Sequence, residues 1–245
     1  MDKVRQVAAI VAGLLLIYLG ILNIVWRDSL LTWQPTPEGA SWKIPFAYAS
    51  GVIMIVSGVG VLLPQWRTKG AMLGAAWIGL WALLLHLPRF AIAHDTASLL
   101  GVGEASGNAL GIATLAGCFD TNQRAKLLRI AFGLCLVIFA LAHFVYADFT
   151  AQMVPAWLPQ RLGLAYLTGA IHALTGACLL AGIRVRLAAT IEAMMMSSFV
   201  LLVHIPGVAA APHDRMQLTM FGMAALLTTA AWLVASWRSL QSEVA

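Results

Sequence analysis

Charged side chains are scarce in this chain. Asp, Glu, Lys and Arg make up 10% of its 245 residues and 61% are apolar, whereas an ordinary soluble domain is about a quarter charged and about half apolar. A soluble fold could not bury that much apolar surface, so the composition excludes one. The net charge of +5 does not require nucleic acid as a partner, because membrane proteins carry excess Lys and Arg in their cytoplasmic loops.

Cysteine is also rare, with three residues in the chain and no Cys-x-x-Cys pair. Cys118, Cys135 and Cys178 fall in the cytoplasmic halves of the predicted spans described below, where a structural disulfide is not expected. The sequence has no Gly-rich phosphate loop, no convincing Ser-His-Asp order and no nucleic-acid-binding signature. These absences argue against a disulfide scaffold, a thiol relay and the commonest nucleotide and hydrolase sites.

Long apolar runs are what the sequence has in abundance. A helix needs about 20 apolar residues to cross a bilayer core of about 30 Å. The first run is too long for the apolar region of a signal peptide, so we interpret it as a retained helix. We predict eight spans, near residues 6–26, 45–64, 70–89, 98–118, 127–147, 162–183, 187–206 and 216–237. The expected fold is an all-α integral membrane protein in contact with the lipid bilayer.

The distribution of Lys and Arg predicts the orientation. Eight spans place both termini on one side, and of the 15 Lys and Arg residues ten fall on that side. The five on the other side are Arg27, Lys43, Arg89, Arg161 and Arg215. Because cytoplasmic loops carry the excess of these residues, we predict that both termini are cytoplasmic.

A repeated motif divides the chain into two halves. His86-Leu87-Pro88 ends the third predicted span and His204-Ile205-Pro206 ends the seventh, 118 residues later (204 − 86). We predict two four-helix units, residues 1–122 and 123–245. An even number of spans in each unit gives the copies the same orientation, so the fold class is two parallel four-helix repeats.

Paired glycines mark the second and sixth spans. Gly51 and Gly58 in the first unit match Gly169 and Gly176 in the second, and each follows Ser or Thr. Glycines seven residues apart lie on one helix face and let helix backbones approach closely. The alternative is a backbone surface that a flat ligand approaches, so these four glycines are candidate cofactor-binding residues.

All six histidines map to the outer half of the predicted spans or to the outer loops. His86 and His204 precede a proline that we expect to end each helix, where the helix dipole favours a cation. The functional alternative is proton exchange near neutral pH. His172 lies about ten residues, or roughly 15 Å, from the outer end of its span, and His143 lies near the end of the fifth span. His86, His204 and His172 are candidate catalytic residues, and His143 is a candidate cofactor-binding residue.

Two acidic residues lie inside predicted spans. A carboxylate at the bilayer centre costs about 2.5–3.5 kcal/mol, so each should face a partner or water, or be protonated. Glu104 is a candidate catalytic residue, because it enters from the outer side within reach of His86. Glu192 is close to the cytoplasmic end of its span, and we expect it to reach Arg184, Arg186 or the interface.

Two further predictions concern cofactors and the outer loops. Histidines on several spans could pair around a metal or haem, but the chain lacks a recognisable ligand motif, so neither is expected. The outer loops contain Trp33, Trp42 and Trp157 beside prolines. We interpret them as interfacial anchors, with a lid over an outward-facing site as the alternative.

The second half carries the stronger family resemblance. The Ser/Thr-Gly pairs, Arg184 and Arg186 before the seventh span, the His-x-Pro motif at its end, and Val154-Pro155-Ala156-Trp157-Leu158-Pro159 before Tyr166-x-x-Gly169 resemble DoxX-type proteins. The doubling to eight spans departs from the usual four-span member. The resemblance implies a four-helix unit in a prokaryotic cytoplasmic membrane, and some relatives are subunits of quinone-reducing enzymes or partners of redox enzymes.

The leading hypothesis is a redox-associated protein that binds a quinone near the outer face, with a redox protein as partner. In it His86 and His204 exchange protons with the quinone oxygens, Glu104 and His172 relay them, and the glycines admit the ring. The alternative is a non-catalytic scaffold or accessory subunit, followed by a small-solute or proton carrier. Whether the chain is an enzyme is left open.

Overall fold

The structure is a computed structural model that describes residues 3–237, so Arg238, counted above among the terminal-side cations, lies outside the described residues. All regular elements in this part of the chain are helical. The α-helices are α1 (Lys3–Trp26), α2 (Lys43–Leu62), α3 (Arg67–Trp81), α4 (Leu87–Ala93), α5 (Thr96–Leu115), α6 (Asn122–Val145), α7 (Ala147–Met153), α8 (Arg161–Ala181), α9 (Val185–Phe199), α10 (Ile205–Ala210) and α11 (Arg215–Ala235).

Seven helical segments in the described part of the chain are long and apolar enough to cross a membrane. They are α1, α2, α6, α8, α11 and two longer segments, Arg67–Ala93 and Val185–Ala210. The prediction of an all-α chain with several membrane-spanning helices is therefore confirmed. The predicted fourth span corresponds to α5, which is 20 residues long but is less apolar because it carries Glu104, Asn108 and several glycines.

Side-chain caps fix where several helices begin. Asp95 accepts a hydrogen bond from the backbone N–H of Ser98 (2.7 Å), and Asp214 accepts one from Gln217 (2.9 Å). The hydrogen bonds from Ser98 hold the pKa of the Asp95 carboxyl below its usual value. At the other end of the bundle, Gly182 ends α8 in the left-handed region with φ of 73°, a conformation that glycine adopts without strain.

The prediction that proline ends the third and seventh spans is wrong. Each helix changes to one π-helical turn, Ala82–His86 or Val200–His204, and then continues as α4 or α10. Pro88 and Pro206 lie in the first turn after these segments, where the missing N–H is tolerated because the wider turn relieves the interrupted hydrogen-bond ladder. Both histidines thus lie inside a continuing helix rather than at its end.

The bundle has α5 and α11 at its centre. These two helices contact each other, α11 also packs against α1, and α5 also packs against α6. Each half adds its own close pairs, α1 with α2 and α6 with α8, while α3 packs on α5 and α9 packs on α11. Since α5 and α11 are shared between the halves, a site beside them draws residues from both.

Candidate functional site

A cavity of about 660 Å³ lies in the second half, at the end of the bundle opposite the described N-terminus. Its walls come from α5, α6, α8, α9, α11 and the Val200–His204 segment, and α7 and the chain after it complete the wall. A volume of about 300–1,000 Å³ is typical of small-molecule sites. Most lining side chains are apolar, and the acidic and imidazole side chains among them are Glu104, His143, His172 and His204.

His172 has a buried carboxylate behind it. Its Nδ1 lies 2.7 Å from Oε1 of Glu192, and the two side chains are 2% and 0% exposed. The hydroxyl of Thr175 donates to Oε2 of the same carboxylate (2.6 Å). The two groups form a close buried pair, although neither His172 Nδ1 nor Glu192 Oε1 has the geometry of a hydrogen bond. The His172 ring lines the cavity beside this pair.

His143 extends this group along the cavity wall. Its Nδ1 lies 2.9 Å from the carbonyl oxygen of Phe139, and because a carbonyl only accepts, Nδ1 carries the proton and Nε2 keeps its lone pair. The ring centroid of His143 is 4.8 Å from that of His172 and 6.0 Å from that of Phe199, on which it stacks. Two imidazoles and one phenyl ring therefore form a continuous aromatic surface.

The opposite wall contains polar atoms without protein partners. The side-chain amide of Asn108 donates to the backbone oxygen of Glu104 (3.0 Å), but its Oδ1 is buried without a hydrogen bond. Within residues 3–237, neither the Glu104 carboxyl nor the His204 ring makes a side-chain hydrogen bond or ion pair. Buried polar groups are normally hydrogen-bonded, so these atoms fit a bound polar molecule.

His86 does not line this cavity, so the two His-x-Pro motifs do not share it. Its side chain is buried, and its Nε2 donates to the carbonyl oxygen of Trp33 (2.8 Å). Gly101 packs directly against the ring, where any larger side chain would overlap it. The predicted contact between Glu104 and His86 is likewise absent among the described residues.

The outer loop before α2 also differs from expectation. Trp33 is not an interfacial anchor, because it is fully buried and packs edge-on against Trp81 with ring centroids 5.0 Å apart. Trp42 and Trp157 are 46% and 71% exposed, as interfacial rings would be. The loop thus sends one of its two tryptophans into the helix bundle.

The four candidate glycines lie at helix contacts and do not line this cavity. Gly51 and Gly58 face the backbone of α1, where an added Cβ would overlap carbonyl oxygens. Gly169 faces His143 and Phe144, and Gly176 faces the backbone of α6. Small residues serve here to bring helices close together, so their effect on a ligand is indirect.

The predicted surroundings of Glu192 are wrong. The residue is fully buried beside His172 instead of reaching Arg184, Arg186 or the interface. Its partners come from the neighbouring helix α8, and a contact between helices has no signature in a single sequence. One signal was present, because the repeat shift of 118 places Glu192 opposite Gly74, and a charged residue at a position where the other unit has glycine is unusual.

Among the described residues no group of three or more His, Cys, Asp and Glu side chains is arranged to hold a metal ion. The chain is similar to one family model, described as a domain of unknown function (DUF8561), over residues 132–237. That range contains His143, His172, Glu192 and His204 but not Glu104. No curated protein and no solved structure matches the chain.

Proposed function

We propose that the chain crosses the membrane eight times as two parallel four-helix units, residues 1–122 and 123–245, with α5 as the eighth span. The bounds of the helices support this architecture. Arg67–Trp81 and its π-helical turn Ala82–His86 have counterparts in Val185–Phe199 and Val200–His204, each exactly offset by 118 residues. The 20 residues of α5 are about 30 Å long, which is enough to span.

Helix packing supports the same pairing of the halves. The contact of α1 with α2 corresponds to that of α6 with α8, and the contact of α3 with α5 corresponds to that of α9 with α11. The fourth long helix of each unit packs on the first helix of the other, α11 on α1 and α5 on α6. An axis between α5 and α11, along the membrane normal, would generate this arrangement.

The proposed location is the cytoplasmic membrane of a prokaryote, with both termini in the cytoplasm. Two observations support it, the excess of Lys and Arg on the terminal side and the resemblance of the second half to DoxX-type proteins. The cavity then lies at the outer end of the bundle, because α7 and the start of α8 form part of its wall.

The proposed function is the binding of a quinone or a similar lipophilic ring in this cavity, in association with a redox partner protein. One observation carries it: Glu104, His143, His172 and His204 converge on a cavity whose lining is mostly apolar. An apolar cavity with a few convergent polar groups suits a lipophilic molecule that has polar atoms at its edge. The unpartnered Oδ1 of Asn108 and ring of His204 fit such a molecule.

A bound quinone would supply two-electron chemistry in which two O–H bonds form, with electrons from the redox partner. The residues of this chain would handle the protons. His172, paired with Glu192, lines the cavity and can give or take a proton there. Glu104 reaches the same space from α5 and serves as a second proton carrier. His204 lines the cavity from the Val200–His204 segment and orients the ring.

Mass spectrometry of organic extracts tests this function. The protein is purified in mild detergent and compared with His204→Ala, Glu104→Gln and a detergent-only control. We expect about one quinone per wild-type chain and a clear loss in His204→Ala, because its ring lines the cavity. Leu201→Ala is a matched control, since that side chain is 61% exposed. Extracts with no enriched lipophilic molecule would contradict the proposal.

A further inference from the structure

The side chain of His204 has no hydrogen-bond partner among the described residues, although the residue is almost completely buried. Only 7% of the residue is exposed, and it lines the cavity without a hydrogen bond to any described residue. A buried imidazole has at least one ring N–H to donate, and leaving such a donor unsatisfied costs free energy. The N–H of His204 is therefore free to meet an acceptor on a bound molecule.

The first half shows what a histidine at this position binds. His86 occupies the same place in the first π-helical turn as His204 in the second, 118 residues apart. Its Nε2 donates to the backbone carbonyl oxygen of Trp33 (2.8 Å). The acceptor is a carbonyl, which cannot itself donate, so this histidine is used as a hydrogen-bond donor.

Trp33 also contacts the first half through its aromatic side chain. The Trp33 indole is fully buried and meets Trp81 edge-on at 79°. Trp81 ends α3 as Phe199 ends α9, and Phe199 lines the cavity of the second half. In the first half, therefore, the carbonyl oxygen of Trp33 accepts from His86 and the indole ring of Trp33 packs against Trp81. Both contacts are made within the chain.

In the described part of the second half, no carbonyl oxygen accepts a hydrogen bond from His204. The chain between α6 and α8 forms the short helix α7 and then passes beside the cavity, and its tryptophan, Trp157, is 71% exposed. Residues of this chain, among them Phe149, Pro155 and Leu158, line the cavity instead of filling it.

We propose that the cavity recognises a planar ring through a ring carbonyl, which accepts a hydrogen bond from His204 while the ring packs against Phe199, as Trp33 does with His86 and Trp81. This inference rests on the proposed function and specifies the chemistry by which the ligand is recognised. It assigns His204 as a hydrogen-bond donor to an acceptor oxygen, and it predicts discrimination against flat rings that lack one.

Equilibrium dialysis of two probes tests this recognition, with the full chain in mild detergent and a detergent-only compartment as reference. Menadione is a naphthoquinone with two ring carbonyls, and 2-methylnaphthalene has nearly the same shape without them. We expect the wild type to bind menadione about tenfold more tightly, as one satisfied hydrogen bond allows. His204→Leu should abolish that preference and leave the affinity for 2-methylnaphthalene unchanged. His204→Gln, which keeps an N–H donor, should retain part of it.

His86→Leu is the matched control, because it makes the same change at the corresponding position of the filled half. It should leave the preference for menadione intact. Binding of 2-methylnaphthalene reports whether the cavity persists in each variant, so a folding defect is recognised independently. Equal affinity of the wild type for both probes, or a preference that survives His204→Leu, would overturn the inference and leave the proposed function standing. No binding of either probe by the wild type would overturn both.

Discussion

The two halves of the bundle share a helix plan and differ in what fills their outer ends. In the first half Trp33 and Leu30 are fully buried, and Gln34 links the loop to α1 and α2 through hydrogen bonds to Asn23 and Ser50. In the second half the corresponding region is a cavity of about 660 Å³. The loop before α2 therefore packs into the first half, whereas the second half retains a cavity.

The polar groups differ at a few core positions. With the shift of 118, Met54 corresponds to His172 and Gly74 to Glu192. In the first unit Ser57 donates to the backbone oxygen of Gly70 (2.8 Å), whereas its counterpart Thr175 donates to the Glu192 carboxylate. An apolar side chain and a glycine in one unit are thus replaced by a buried His–Glu pair in the other.

Removal of the buried Trp33 ring from the first half should have the largest effect on stability. Trp33→Ala should lower the free energy of unfolding by about 3–5 kcal/mol, because it deletes a fully buried ring. Thermal unfolding in detergent measures the change. Trp157→Ala, in the other outer loop, removes a ring that is 71% exposed and should change stability by less than about 0.5 kcal/mol. Equal losses in the two variants would contradict the contrast between the halves.

Disruption of the buried pair of His172 and Glu192 should have the next largest effect on stability. Glu192→Leu should cost about 1–3 kcal/mol, because it removes the carboxylate beside the buried Nδ1 of His172. Replacing both members, Glu192→Leu with His172→Phe, should recover much of this loss, since no buried donor from His172 remains. Chemical unfolding of the single and double variants tests the coupling. A double variant that loses the sum of the two single effects would show that the pair does not act as a unit.

Filling the cavity should make the second half resemble the first. Ala224 lines the cavity on α11, so Ala224→Phe should reduce menadione affinity at least tenfold, about 1.4 kcal/mol, by occupying the ring site. Ala91→Phe, at an exposed position of α4 in the first half, is the control and should bind as the wild type does. Dialysis of both variants decides the matter, and undiminished binding by Ala224→Phe would place the ligand elsewhere.

The smallest effect is electrostatic and concerns Asp28, in the loop after α1. Its carboxyl lies 2.9 Å from Lys43 and 3.1 Å from Arg215, which joins the start of α11 to the first half. Partial burial alone would raise the pKa of Asp28, but the hydrogen bonds from Lys43 and Arg215 outweigh it and lower the pKa. A lowered folded-state pKa means that the ion pairs stabilise the fold above the ordinary carboxyl pKa and that this contribution is lost as the pH falls through the folded value.

Asp28→Asn should therefore lower stability by up to about 1 kcal/mol at neutral pH, and the difference from the wild type should vanish in acid. Thermal unfolding between neutral pH and about pH 3 measures it. Asp148→Asn is the control, because Asp148 on α7 is exposed and makes no ion pair with another described residue. A difference for Asp28→Asn that grows in acid would have the wrong sign for this account.

The long helices could be predicted from the sequence because each apolar run approaches the thickness of a bilayer. The continuation of two helices past Pro88 and Pro206 could not, since a proline usually ends a helix and the π-helical turn that accommodates it has no clear sequence signature. The interiors of the helices were thus more predictable than the segments beyond His86 and His204.

The site was predictable in part. Inward-facing ionisable residues in spans are functional candidates, and His172, His204 and Glu104 do line one cavity, together with His143. His86 could not be separated from His204, because the two motifs are alike and only the fold of the loop containing Trp33 distinguishes their surroundings. That loop places Trp33 in the bundle by contacts with distant helices, which a single sequence does not reveal.

A crystal structure of the protein with menadione bound tests the central claim most directly. The account predicts one menadione in the second-half cavity, with an oxygen within hydrogen-bonding distance of His204 and its ring against Phe199, while Trp33 stays on His86. Menadione in the first half in place of Trp33, or a second-half cavity closed by protein side chains, would contradict it.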